Sequence, residues 1–243
     1  MAGQATRLSP LPSSKELLPL GFQKREGGEY PKVISSYLLD AMRNADITQI
    51  MLVLRRGKWD IANYYADGGA FGLELAYTLM KKPHGVPYTL DSAYSFVKDK
   101  YVAVGFPDIL YKPQDAFVQL REKLETSNAD VLLGLFPASA PNRSDMVEVG
   151  PGGELRNIFI KPAQTNLTLS WGLAIWAPSF TAFMHTFLET FEASQDAPEV
   201  QISALLLEAL KAGLSIETLS FPEGGFWDVG TPEGYRTALE RLG

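Results

Sequence analysis

The stretch that decides how this chain is read is its amino end, Met1-Ala-Gly-Gln-Ala-Thr-Arg-Leu-Ser-Pro-Leu-Pro-Ser-Ser-Lys-Glu-Leu-Leu-Pro-Leu-Gly21. Small residues run from Ala2 to Ala5, a guanidinium follows at Arg7 and an ammonium at Lys15. Exposed backbone N–H groups beside two cations suit a bound polyphosphate. Taken alone, the same residues also describe a flexible tail that carries Gly and Lys. The rest of the chain decides between the two.

Beyond Gly21, strands alternate with segments of helical periodicity. Gln49–Leu54 is a continuous apolar run, the mark of a parallel strand buried on both faces; Tyr101–Phe106 and Asp130–Phe136 read as further buried strands, and Leu73–Leu79, Leu169–Trp176 and Ser215–Ser220 as strands. Helices are expected over Lys32–Asn44, Trp59–Tyr65, Tyr88–Phe96, Pro113–Thr126, Ser179–Ser194 and Ile202–Ala212, with a surface loop over Phe22–Pro31. Met146–Val149 and Leu155–Ile160, joined by Gly150-Pro-Gly-Gly153, read as a hairpin. Thr231 and Pro232 read as the N-cap and first residue of a last helix. The basic cluster Arg55-Arg56-Gly57-Lys58 reads as a solvated turn, with phosphate binding as the lesser alternative. His185 reads as structural, and Trp171 and Trp176 as core and pocket wall.

The chain has 243 residues, 46% hydrophobic and 21% charged, enough for one substantial core. A net charge of −6 argues against general nucleic-acid binding, which needs a basic face. No cysteine is present, which excludes disulfides, thiolate catalysis and Cys-based metal sites. Neither a signal peptide nor a membrane-length apolar run is apparent, so the expected compartment is the cytoplasm.

The opening residues resemble the signature of sugar-1-phosphate nucleotidyltransferases, the nucleotide-sugar pyrophosphorylases, which reads roughly A-G-G-x-G-T-R-L-x-P. Ala2, Gly3, Ala5, Thr6, Arg7, Leu8 and Pro10 occupy its positions without a gap, and Gln4 falls within it. Ser14-Lys15-Glu16-Leu17-Leu18-Pro19 is similar to the S-K-Q-L-L-P of the glucose-1-phosphate thymidylyltransferase branch. Pro107-Asp108 stands where the family has G-D, Lys161-Pro162 where it has K-P, and Gly225-Phe-Trp-Asp228-Val-Gly-Thr231-Pro-Glu-Gly-Tyr235 resembles its W-x-D-x-G-T-x-x-x-Y element from Asp228 onward, with Phe226 at the W position.

The resemblance implies an α/β, doubly wound, mostly parallel (Rossmann-like) sheet with helices on both faces. It implies a single domain over 1–243, with a nucleotide-binding half at 1–140 and a sugar-phosphate half at 141–243. Arg7 and Lys15 are then the catalytic cations, and Asp108 and Asp228 the ligands of Mg2+. Ala2, Gly3, Gln4, Ala5, Thr6, Met80 and Gly85 fall to the nucleotide, Lys161 and Gly172 to the sugar phosphate. The implied partners are a nucleoside triphosphate and a sugar 1-phosphate, with the choice between single chain and homo-oligomer open.

This chain departs from the pattern at Ala5, Met80, Pro107 and Ile160. A Cβ at Ala5 narrows the approach to phosphate, a thioether at Met80 cannot pair with a base edge, and Ile160 stands where a carboxylate contacts the sugar. The competing expectation is a binding or regulatory module with impaired turnover. One further departure concerns the fold: a phosphate loop normally follows an apolar strand, and here the loop begins at Met1. Either a strand lies upstream or another segment fills its place, and without one the neighbouring strands are expected to show unpaired edges.

Overall fold

The computed structural model describes residues 1, 7–25, 27–191 and 199–242. After a short 3-10 turn at Lys15–Leu17, strands β1 (Pro19–Arg25) and β2 (Gly28–Val33) form an antiparallel ribbon. Then come α1 (Ile34–Asn44), β3 (Gln49–Leu54), α2 (Trp59–Tyr65), β4 (Glu74–Leu79), α3 (Val86–Asp91), α4 (Tyr94–Val97), β5 (Val102–Val104) and β6 (Ile109–Lys112). The chain continues through α5 (Ala116–Glu125), β7 (Val131–Pro137), β8 (Asp145–Val149), β9 (Leu155–Ile160) and β10 (Leu169–Trp176). It ends with α6 (Pro178–Thr190), α7 (Ile202–Lys211), β11 (Ile216–Ser220), β12 (Gly225–Asp228) and α8 (Pro232–Leu242).

In the main sheet β7 lies between β11, which runs parallel to it, and β10, which runs against it. The far edge of β10 carries β5 toward its end and the β8–β9 hairpin toward its start. Because β5 and β7 are both antiparallel to β10, β5, β7 and β11 point the same way and β10 is the reversed strand among them. Strands β3 and β4 are paired with each other in parallel. Helices cover both faces, as the side-chain alternation of β7 requires. Val131, Leu133 and Leu135 pack with α6 and α7, whereas Leu132 and Phe136 pack with α1 and α5. This is the doubly wound α/β architecture that the resemblance implies.

Three expectations are corrected. The loop over Phe22–Pro31 is the β1–β2 ribbon, whose alternating residues are largely solvent-facing and therefore carry no apolar signal. It is tied down by tertiary contacts: Leu20 is fully buried, and the hydroxyls of Tyr37 and Tyr235 donate to the Leu20 and Pro19 carbonyls at 2.6 and 2.7 Å. The helix expected over Tyr88–Phe96 is two short helices. Ser92 lies at the break, where its hydroxyl bonds back to the Tyr88 carbonyl at 3.0 Å and accepts the Lys81 N–H, a competition that interrupts helices. The basic turn is not wholly solvated, because Lys58 is drawn inward by Glu16. Thr231 does cap α8, its Oγ1 accepting the Gly234 N–H at 3.0 Å.

Candidate functional site

Lys15 is placed by the turn that contains it. Just before it, Ser14 donates its backbone N–H and hydroxyl to the Asp60 carboxylate at 2.7 and 2.8 Å. Burial raises the pKa of Asp60, but these bonds outweigh it and leave the net shift downward. Next in sequence, Glu16 is 1% exposed and receives Lys58 on both carboxylate oxygens at 2.6 and 2.7 Å. With its neighbours anchored on one side, Lys15 turns to the other and pairs with Asp108.

Asp108 is delivered by the turn that links β5 to β6, closed by the Ile109 N–H on the Phe106 carbonyl at 3.0 Å. Asp228 ends β12, whose antiparallel register with β6 sets it opposite Ile109, and the Val229 N–H bonds the Asp108 carbonyl at 2.9 Å. Two aspartates 120 residues apart are thus neighbours at one end of a two-stranded ladder. The Asp228 carboxylate accepts the Gly230 N–H at 2.7 Å and Arg7 Nη2 at 3.2 Å.

Gly230 marks the point where these groups meet. A Cβ there would lie 2.8 Å from Asp228 Oδ1, 3.2 Å from Asp108 Oδ2 and 3.2 Å from Lys15 Nζ. A glycine keeps that space open. Magnesium keeps near-octahedral oxygen coordination and is held by one or two carboxylates, completed by substrate phosphates and water. Two aspartate carboxylates converging on one side-chain-free point suit that ion, and Asp108 and Asp228 are the residues that would hold it.

Met80 and Gly85 line the same cavity as Lys15 and Asp108, a space of about 650 Å3. The sulfur of Met80 accepts the Thr89 hydroxyl at 3.4 Å. Gly85 has a local reason to be glycine: its φ is +108°, and a Cβ would sit 2.2 Å from the Val200 carbonyl oxygen. Lys161 and Gly172 do not line this cavity. Lys161 is exposed after β9 with φ of 43°, and Gly172 lies beneath β6 and β12, its carbonyl accepting the Tyr111 hydroxyl at 2.8 Å. Burial pushes the Tyr111 hydroxyl far above its ordinary pKa, so it stays a donor. Ala2, Gly3, Gln4, Ala5 and Thr6 lie outside the described residues.

Sequence reasoning missed the supporting pair Glu16–Lys58 and the amino group of Met1, which donates to the Val53 carbonyl at 3.0 Å. His185 is structural, as expected: Nδ1 lies 2.8 Å from Asp91, and the ring stacks on Tyr94. Among the described residues no helix is long and apolar enough to cross a membrane.

The sequence model of the nucleotidyl transferase family matches residues 1–243. A low-salt glycan biosynthesis nucleotidyltransferase of Haloferax volcanii is 25% identical over 236 residues, covering 95% of this chain and 61% of that protein. A glucose-1-phosphate thymidylyltransferase of Streptomyces antibioticus is 23% identical, covering 99% of this chain and 65% of its own length. The chain therefore spans less than two thirds of these relatives. In shape it is similar to a crystal structure described as a putative glucose-1-phosphate thymidylyltransferase from Bacillus anthracis, with a TM-score of 0.84 over 99% of this chain and 92% of that one at 18% identity. A UDP-glucose pyrophosphorylase from Acinetobacter baumannii superposes with a TM-score of 0.79 over all of this chain and 90% of that one at 20% identity.

Proposed function

The chain belongs to the nucleotidyl transferase family, and on that premise we propose that it joins a nucleoside triphosphate to a sugar 1-phosphate, releasing pyrophosphate and forming a nucleotide sugar. The observation that carries this reading is the convergence of Lys15, Asp108 and Asp228 on the open point beside Gly230. A phosphate oxygen of the sugar phosphate forms a bond to the α-phosphorus while the bond from that phosphorus to the bridging oxygen breaks. The nucleophile is already an anion, so the reaction asks for alignment and charge neutralisation more than for a base.

Lys15, buried at the cavity wall, supplies a fixed positive charge to the phosphates, and Arg7, exposed and paired with Asp228, supplies a second. Asp108 and Asp228 would hold Mg2+, which when bound supplies Lewis-acid neutralisation of phosphate charge. Met80 and Gly85 form the wall nearest the base in this reading, and Lys161 and Gly172 belong to the sugar-phosphate side. Residues 1–140 then form the nucleotide half and 141–243 the sugar-phosphate half.

The test is pyrophosphate release from thymidine and uridine triphosphates with a panel of sugar 1-phosphates. Asp108→Asn is expected to lower the rate at least ~100-fold with the fold intact. A second reading, a binding module with impaired turnover, is favoured by the pairing of each candidate metal carboxylate with a cation of the chain itself. Binding of the triphosphate without any release, in the parent chain and in Asp108→Asn alike, would decide for that module.

A further inference from the structure

The cavity that carries Lys15 and Asp108 is not charged on every side. From the stretch that holds α3 and α4 it receives Val86, Thr89, Leu90, Ala93, Tyr94 and Val97, none of them charged. Phosphates belong beside Lys15 and Asp108, and the flat apolar faces of a nucleobase belong against this wall. A base also has a polar edge, and enclosing that edge without a hydrogen bond costs affinity. Met80 does not supply such a bond, because a thioether sulfur is at best a weak acceptor.

A hydroxyl stands beside Met80. Thr89 Oγ1 lies 3.4 Å from the Met80 sulfur and 3.3 Å from the Gly85 carbonyl oxygen, so it sits between the two residues that the proposed function assigns to the base. Ordinary O–H···O bonds span about 2.5 to 3.0 Å. The bond to Gly85 is longer than that and the sulfur accepts weakly, so the proton is loosely committed. Among the described residues no group donates to Thr89 Oγ1, and the oxygen keeps its capacity to accept. A threonine hydroxyl that bonds back to the carbonyl four residues earlier is an ordinary helix contact; here it fixes the side chain in place without using up the oxygen. The other hydroxyl of this wall belongs to Tyr94, whose ring is held by stacking on His185 at 3.6 Å.

We propose that Thr89 is the residue that reads the nucleobase, its hydroxyl holding one polar atom of the base edge while Met80 and Gly85 form the wall around it. The assignment rests on the reading of the chain as a nucleotidyltransferase that takes a nucleoside triphosphate. A hydroxyl that rotates donates to a carbonyl oxygen, as uracil and thymine offer, or accepts from an amino group, as cytosine offers. Strong discrimination arises where a wrong substrate leaves a buried polar group of the site unpaired, and a rotating hydroxyl beside a thioether leaves none. The site therefore separates uracil, thymine and cytosine by no more than about tenfold, the worth of a single neutral hydrogen bond.

The test is equilibrium binding in the presence of Mg2+, so the result does not depend on turnover. Uridine, thymidine and cytidine triphosphates are compared with tripolyphosphate, which has no base, in the parent chain, Thr89→Val and Thr89→Ser. In the parent the three nucleotides are expected to bind within about tenfold of one another and all more tightly than tripolyphosphate. Thr89→Val, which keeps the shape and removes the hydroxyl, is expected to weaken each nucleotide about 5-fold and to leave tripolyphosphate unchanged, whereas Thr89→Ser keeps most of the parent affinity. Nucleotide affinity unchanged in Thr89→Val would overturn the assignment. Equal losses for nucleotide and tripolyphosphate would do the same, by marking Thr89 as structural, and so would a spread of ~100-fold or more among the three bases in the parent. Nucleotides bound no more tightly than tripolyphosphate in the parent would instead bring down the nucleotide reading of the cavity, and this assignment with it.

Discussion

Strands β3 and β7 are both unbroken apolar runs, Gln49-Ile-Met-Leu-Val-Leu54 and Val131-Leu-Leu-Gly-Leu-Phe-Pro137, yet β7 is buried from Val131 through Phe136 while β3 is buried only from Leu52 onward. The difference lies in their neighbours. β7 has β10 on one edge and β11 on the other, whereas among the described residues β3 has β4 alone. An apolar run states what a strand can tolerate; burial is conferred by the strands on either side and the helices over both faces. Ile50 and Met51 are half-buried and line the cavity shared with Lys15 and Asp108.

The sharpest way to break this comparison is to truncate both strands. Leu133, fully buried in β7, is expected to cost about 3 to 4 kcal/mol on Leu133→Ala, and Ile50→Ala in β3 about 1 kcal/mol, measured by urea unfolding. Equal costs would show that β3 is as tightly enclosed as β7. A second effect, about 3 kcal/mol, is expected for Glu16→Gln, which leaves the half-buried Lys58 without its anionic partner next to β3. The double change Glu16→Met with Lys58→Met should restore much of that loss. Its failure to do so would make the pair more than a mutual compensation of buried charge.

A further effect, smaller than that of Glu16→Gln, concerns pH at the Met1 amino group beside β3. The Met1 ammonium titrates at about 6 in the folded chain and at 8.0 when unperturbed. Between those values the unfolded state binds more protons than the folded state, so stability rises with pH through that window, by about 2 kcal/mol in total. Burial is the main cause. Glu16 and Asp108 oppose it, and Lys58 and Lys15 reinforce it. To isolate this one group from every other that exchanges protons, the measurement is the difference between the free chain and one acetylated at Met1. Acetylation should flatten the rise, and an identical pH profile in both would exclude the amino group as its origin.

The strands legible in the sequence were those whose two faces are covered: Gln49–Leu54 and Leu169–Trp176 coincide with β3 and β10 residue for residue. The ribbon β1–β2 was illegible because its residues largely face solvent and carry no apolar signal, and it is held in place by tyrosine hydroxyls contributed from α1 and α8. Within the site, Lys15, Asp108 and Asp228 were each identifiable by type and order. Their meeting at Gly230 was not, because it depends on the β6–β12 register, which the D-x-G-T element around Gly230 does not reveal. Glu16 and Lys58 escaped for a similar reason, since forty-two positions separate a pair whose contact exists only after α2 folds back.

Residue order along the chain was enough to set the chemistry available and the layered α/β plan, because residue type and apolar periodicity are local and survive without knowledge of neighbours. Folding in three dimensions was needed to settle which carboxylates share a point, which lysine serves the cavity and which supports it, and which strands pair with which. Those are matters of strand order and edge pairing, and an edge exists only relative to the strand that does or does not lie beside it.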